Sequence, residues 1–129
     1  MTPDPLRWHA RVVADRSADV DAYIVALAPT AAAHLAAVRD ALHAGIPEGS
    51  ETIRYDMPAI LLGGRYAIHF AAWKAHAGLY PVPPLGDPLE AEVAPLRTGK
   101  DSVVLRYRDP VPTDLVTRIA ARVVELRRG

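Results

Sequence analysis

The chain contains no cysteine. That excludes disulfides, zinc–thiolate sites, iron–sulfur ligation and a cysteine nucleophile together. It has no excess of either charge: Lys+Arg and Asp+Glu number 15 each, for a formal net charge of zero. A protein that neutralises phosphates usually carries a basic excess, so no nucleic-acid partner is expected. An acidic tail and a polybasic anchor are also lacking. No apolar run approaches the ~20 residues of a membrane span. Met1–Pro5 has two prolines and an Asp but no apolar core of a signal peptide. These readings together predict a soluble, cytoplasmic protein with no membrane partner.

Catalytic and cofactor fingerprints are missing as well. None of Ser17, Ser50 and Ser102 lies in a Gly-x-Ser-x-Gly elbow. Gly63-Gly64 reads as a hairpin, and Gly99-Lys100 lacks the earlier glycine of a phosphate-binding loop. There is no His-x-His or His-Glu-x-x-His among the five histidines. His34 and His43 lie nine residues apart on one predicted helix, so at ~100° per residue they point to opposite faces and share no metal. His69 reads as a satisfied or surface histidine. No acid–base pair is assignable, which argues against an enzyme.

What is present is an ordinary globular composition. The 129 residues, 13.9 kDa, are 50% hydrophobic and 23% charged, enough for one core and too few for two. Residues 1–17 read as an N-terminal extension, followed by a single domain over 18–129. Val20, Tyr23, Ile24 and Leu27 form one helical stripe, capped by Ser17 or Asp19. After Pro29, a second helix over about Thr30–Ala44 carries the stripe Ala31, Leu35, Val38 and Leu42, and Gly45 with Pro47 ends it.

The period then changes to two. Thr52–Met57 alternates Ile53, Tyr55 and Met57, and Pro58 closes that strand. Ala59–Leu62 and Arg65–Trp73 flank the Gly63-Gly64 hairpin. On the longer strand Tyr66, Ile68, Phe70 and Ala72 are expected on one face, with Arg65, Ala67, His69, Ala71 and Trp73 on the other. Gly78–Val82 is a further strand. Asp87, Pro88 and Glu90 predict a short helix with Asp87 as cap. Ser102–Arg108 is the last strand, and about Pro112–Arg127 the last helix, with Leu115, Ile119, Val123 and Leu126 on one face. The order ααββββαβα, with hairpin-linked strands, predicts an α+β fold: an antiparallel sheet with helices packed on one side.

This order, together with Val20-Asp21-Ala22-Tyr23-Ile24, Tyr55-Asp56-Met57-Pro58, the run Lys74-Ala75-His76-Ala77-Gly78-Leu79-Tyr80-Pro81 and Thr98-Gly99-Lys100, resembles the YdhG-like domain of unknown function over roughly residues 18 to 127. The resemblance implies an antiparallel sheet with flanking helices. It also implies kinship with frataxin-like intracellular iron chaperones, hence iron as a cargo. The family pattern reads Gly and then Thr or Ser after the second lysine; here Asp101 and Ser102 follow Lys100.

Both lysines of this arginine-rich chain fall in those motifs. Tyr55, Met57, Lys74, His76, Tyr80 and Lys100 all sit near predicted strand ends. They are expected to meet in one pocket for a small polar or anionic ligand, with the lysines supplying charge, the tyrosines hydrogen bonds and Met57 an adaptable wall. A non-enzymatic binding or carrier domain is the leading reading. Iron delivery through Asp15, Asp19 and Asp21 is the first alternative, since hard cations prefer oxygen ligands. First-turn acids also stabilise a helix dipole. The other acids, Asp40, Glu48 and Glu51, read as structural or solvating. A protein-interaction module using the sheet face is the second alternative.

Overall fold

A computed structural model describes residues 16–128. His9, Asp15 and most of the expected extension lie outside the described residues. Helix α1 spans Ala18–Val25, and the Ser17 hydroxyl caps it by accepting from the Asp19 N–H at 3.1 Å. Helix α2 runs Pro29–Gly45, with Pro29 as its first residue, where the missing N–H is not needed. Four strands follow as a meander: β1 Ser50–Arg54, β2 Met57–Leu62, β3 Arg65–Ala72 and β4 His76–Tyr80. A proline-rich passage and the short helix α3, Leu89–Val93, carry the chain to the far edge. There β5, Arg97–Thr98, turns back into β6, Ser102–Arg106, which pairs with β4. Helix α4, Thr113–Arg128, closes the chain.

The six strands lie in the order β1-β2-β3-β4-β6-β5, every neighbouring pair antiparallel. The α+β class and antiparallel sheet follow the sequence reading, with the two-residue β5 added. One face of the sheet packs against the helices. Ile60, Ile68, Phe70, Leu79, Val103 and Leu105 meet Val20, Leu35, Val38, Leu42, Val116 and Ile119 in the core. Each such side chain contributes about 1.5–3 kcal/mol by leaving water. Helices α2 and α4 touch at Gly45, where a Cβ would strike the Thr117 carbonyl. One turn earlier, the Thr117 hydroxyl donates to the Ala41 carbonyl at 2.8 Å.

Three sequence expectations change. The first strand ends at Arg54: Tyr55 and Asp56 take left-handed backbone, φ 54° and 60°, and make the turn from which Met57 opens β2. Tyr55 and Met57 therefore do not end one strand. A bulge between Ile60/Leu61 and the facing strand shifts the register, so Ile60 pairs with Ile68 but Leu61 with Tyr66. The extra residue sends Tyr66 to the face of His69, on whose ring it stacks at 5.6 Å. The third change is at α3, where Asp87 does not cap: Pro88 precedes the helix without a side-chain cap. Instead the Glu90 carboxylate accepts from the Leu85 N–H and from Arg97, which also donates to the Val82 and Pro83 carbonyls.

Candidate functional site

The sheet face turned away from the helices collects most of the polar chemistry. Its strand pairings set three rows. Thr52, Ala59, His69 and Tyr80 lie in one. Arg54 and Met57 occupy the next, level with Ala71, Gly78 and Val104. Trp73, His76 and Arg106 form the third.

The predicted constellation is partly assembled and partly dispersed. Met57, His76 and Tyr80 share this outer face. Tyr55 stands 74% exposed on the β1–β2 turn, at the same end of the sheet as Lys74 on the β3–β4 turn. Lys100 is elsewhere. It sits on the β5–β6 turn, beside Asp101, whose carbonyl accepts from Val82 N at 2.7 Å. His76 pairs with Arg106 and Leu79 with Val103, so that turn lies beyond the opposite end of β4 from Lys74. Eight residues of extended chain separate the two levels, roughly 25 Å. The two lysines cannot hold one small ligand.

Even without Lys100, the other residues fall into two groups. An open hollow of about 510 Å³ is lined by Ala75, Arg106, Tyr107 and Arg108; Lys74 and His76 flank Ala75 in sequence. The Tyr107 hydroxyl donates to the Trp73 carbonyl at 2.7 Å, and its N–H donates to the Ala75 carbonyl at 3.1 Å. The Ala72 N–H donates to the Tyr23 hydroxyl at 3.0 Å. Two tyrosines from different elements thus hold the Lys74 turn.

The second group is Tyr55 and Met57 with Arg54, Tyr66 and His69. The Arg54 guanidinium lies 4.0 Å from the Tyr66 ring centroid and 4.6 Å from that of Tyr55. Tyr80 lies between the groups, its phenol accepting from the Trp73 indole N–H.

Sequence reasoning overlooked Arg54, Tyr66, Trp73 and Arg106; His69, expected to be satisfied or on the surface, is buried with one ring nitrogen satisfied. His69 is only 8% exposed. Its Nδ1 is 3.3 Å from the Tyr80 carbonyl, which only accepts, so Nδ1 carries the proton. Its Nε2 has no partner among the described residues. Burial lowers its pKa, against the Tyr80 bond and helped by the Arg54 charge, so the ring is neutral at pH 7. Alternation alone would have put His69, Trp73 and Arg106 on a common face; the bulge that adds Tyr66 leaves no mark in the sequence.

The acids have other partners. Glu51 points inward from edge strand β1, its side chain fully buried. It accepts from Arg39 at 2.6 and 2.8 Å, from His43 at 2.6 Å and from the Ser17 N–H at 2.8 Å. Burial pushes its pKa up, but these donors outweigh it and hold the carboxyl well below the usual range. Asp21 also accepts from Arg39, at 2.7 Å, while Asp19 is exposed in the first turn of α1. Asp15 lies outside the described residues. Among the described residues no group of three or more His, Asp or Glu is placed to hold a metal ion, and no helix is long and apolar enough to cross a membrane.

No family model and no curated protein matches the chain. Among solved structures, it is similar to the crystal structure of a DUF1801-family protein, YdhG from Bacillus subtilis, with a TM-score of 0.74 and 17% identity. The match covers 87% of this chain and 94% of that one. The chain therefore has the YdhG-like α+β fold; at that identity the likeness is one of fold.

Proposed function

We propose that the chain is a non-enzymatic binding or carrier domain for a small anion, taken at the end of the sheet where Arg106 and Arg108 line the hollow at Ala75, between Lys74 and His76 in the sequence. One observation carries this reading. Six arginines elsewhere are paired: Arg16 with Asp40, Arg39 with Glu51, Arg97 with Glu90, Arg118 with Glu92, Arg122 with Glu125 and Arg128 with Glu48. Lys74, Arg106 and Arg108 have no carboxylate within ion-pair distance among the described residues. Arg54, Arg65, Arg127 and Lys100 are likewise unpaired among the described residues; what sets this group apart is that Arg106 and Arg108 line one open hollow, where two cations side by side favour an anion. The rigid Tyr107 supports favour a preformed site. Titration of the full chain with inorganic phosphate, followed by thermal shift, tests it: a shift that disappears in Arg106→Gln/Arg108→Gln is expected, and no shift in the parent chain overturns it.

A protein partner is the second reading. Tyr55 and Trp73, 74% and 49% exposed, stand at this same end of the sheet, and exposed aromatics are favoured contact residues. The iron-carrier alternative has less support, because Asp21 of the acids Asp15, Asp19 and Asp21 is engaged by Arg39. A thermal shift with Fe(II) that is abolished by Asp19→Asn would favour it.

A further inference from the structure

The chain turns at the end of β6, and that turn walls two hollows. The Arg106 carbonyl accepts from the Asp109 N–H at 3.1 Å and from His34 Nε2 at 3.1 Å. Within the turn, the Tyr107 ring meets the His34 ring edge to face, their centroids 5.0 Å apart. These contacts hold the turn in place. Arg106, Tyr107 and Arg108 line the hollow at Ala75. Arg106 and Asp109 line a second hollow, of about 120 Å³, whose other walls include Leu96, Arg97, Thr98 and Val104. Arg106 is common to both.

The second hollow differs from the first in its chemistry. Arg97 turns its guanidinium to Glu90 and to the carbonyls of Val82, Pro83 and Lys100, so its donors are already engaged. The Asp109 carboxylate and the Thr98 hydroxyl are on exposed residues and have no partner among the described residues. A carboxylate only accepts, whereas a hydroxyl donates and accepts. Asp109 repels a second anion here. The guanidiniums of Arg97 and Arg106 disfavour an ammonium. Neutral hydroxyl groups suit both polar partners, and Leu96 and Val104 offer apolar surface to a short carbon chain. The volume takes about four water-sized groups at roughly 30 Å³ each, the scale of a small polyol.

We infer that the two hollows together take a phosphate monoester of a small polyol, with the phosphate at Arg106 and Arg108 and the polyol between Asp109 and Thr98. The inference rests on the anion reading of the Ala75 hollow and names the class of anion. Because Arg106 borders both hollows, a phosphate paired with it leaves its ester arm at the second.

The test is titration of the full chain, followed by thermal shift, with inorganic phosphate, propyl phosphate and glycerol 3-phosphate. The two esters share a three-carbon chain and differ by two hydroxyls. Glycerol 3-phosphate is expected to bind about fivefold more tightly than propyl phosphate, the worth of one neutral hydrogen bond. Thr98→Val and Asp109→Ala should each reduce that preference. The double variant should abolish it and still bind both esters. Asp109→Asn, which keeps an acceptor, should retain part of it. Equal affinities for the two esters, or a preference that survives in the double variant, overturns this inference and leaves the anion reading standing. No shift with any of the three anions overturns both. Tighter binding of phosphoethanolamine than of glycerol 3-phosphate also overturns the inference, because Asp109 would then be taking an ammonium. So do phosphatidylglycerol vesicles that bind the chain and are not displaced by glycerol 3-phosphate, which would make the ligand a lipid headgroup.

Discussion

The phenol of Tyr80 lies across Gly78: a Cβ on that glycine would collide with the Tyr80 hydroxyl. The bare α-carbon lets the ring lie along the sheet and accept from the Trp73 indole, seven residues earlier and just past the end of β3. Glycine weakens a strand by itself, so its presence in β4 is explained by the ring it makes room for.

Gly78→Ala should therefore lift Tyr80 from the face, break the Trp73 contact and destabilise the fold by about 1–3 kcal/mol through overpacking. Tyr80→Phe, which loses only a half-exposed hydrogen bond, should cost about 0.5 kcal/mol. Urea unfolding, with Trp73 emission as the local probe, separates the two. If both changes cost the same, packing at Gly78 is not the constraint.

A second prediction concerns the β1–β2 turn. Tyr55 and Asp56 both hold positive φ, which disfavours side chains, and Tyr more than Asp. Tyr55→Asn with Asp56→Gly supplies residues suited to a two-residue hairpin turn. Stability should rise by roughly 1–2 kcal/mol, read as an increase of several degrees in Tm. A fall would mean that the Arg54–Tyr55 contact outweighs the backbone strain.

The third prediction is the acid limb of stability. The Glu51 carboxyl is held near a pKa of about 2, against an ordinary value of about 4.5. A folded pKa below the unfolded one contributes stability that is complete above about 4.5 and is lost as pH falls through about 2, up to roughly 3 kcal/mol for this group. Glu51→Gln should cost about 3–5 kcal/mol at pH 7, since it leaves the buried Arg39 with only the exposed Asp21 as a charge partner. It should also flatten the stability curve between pH 5 and 2. An unchanged slope in that variant would assign the acid sensitivity to other carboxylates such as Glu90, also held at about 2, chiefly by Arg97.

Helix stripes, the Gly63-Gly64 turn and proline stops are local signals, and the fold was legible from them. Val20 and Ile24 of the first stripe are buried, as are Leu35, Val38 and Leu42 of the second. What escaped depends on long-range register. The antiparallel pairing of β6 with β4 puts Lys100 at the opposite end of the sheet from Lys74. One bulged residue decides that Tyr66 joins His69. The Glu51–Arg39–His43 cluster joins strand to helix through a carboxylate that the sequence left as structural or solvating. The Tyr55-Asp56 turn was hidden because a tyrosine in left-handed backbone breaks the preference on which turn reading rests. The sequence placed the candidate residues near strand ends; which end each occupied was not written in local pattern.

The last prediction separates the two ends of the sheet. Phosphate at ~100 times its dissociation constant adds ~2.7 kcal/mol, several degrees in a domain of this size. Lys74→Met and Arg106→Gln should each reduce that shift, because Arg106 lines the hollow and Lys74 adjoins its Ala75 in the chain. Lys100→Met should leave it unchanged, because its turn lies roughly 25 Å away along β4. Raising ionic strength from 0.01 M to 0.15 M shortens the screening length from about 30 to about 8 Å, so the shift should shrink with salt if exposed arginines carry the affinity. A Lys100→Met variant that loses the shift as fully as Lys74→Met would require the lysines to act together, which the strand register forbids, and would move the anion site to the β5–β6 turn.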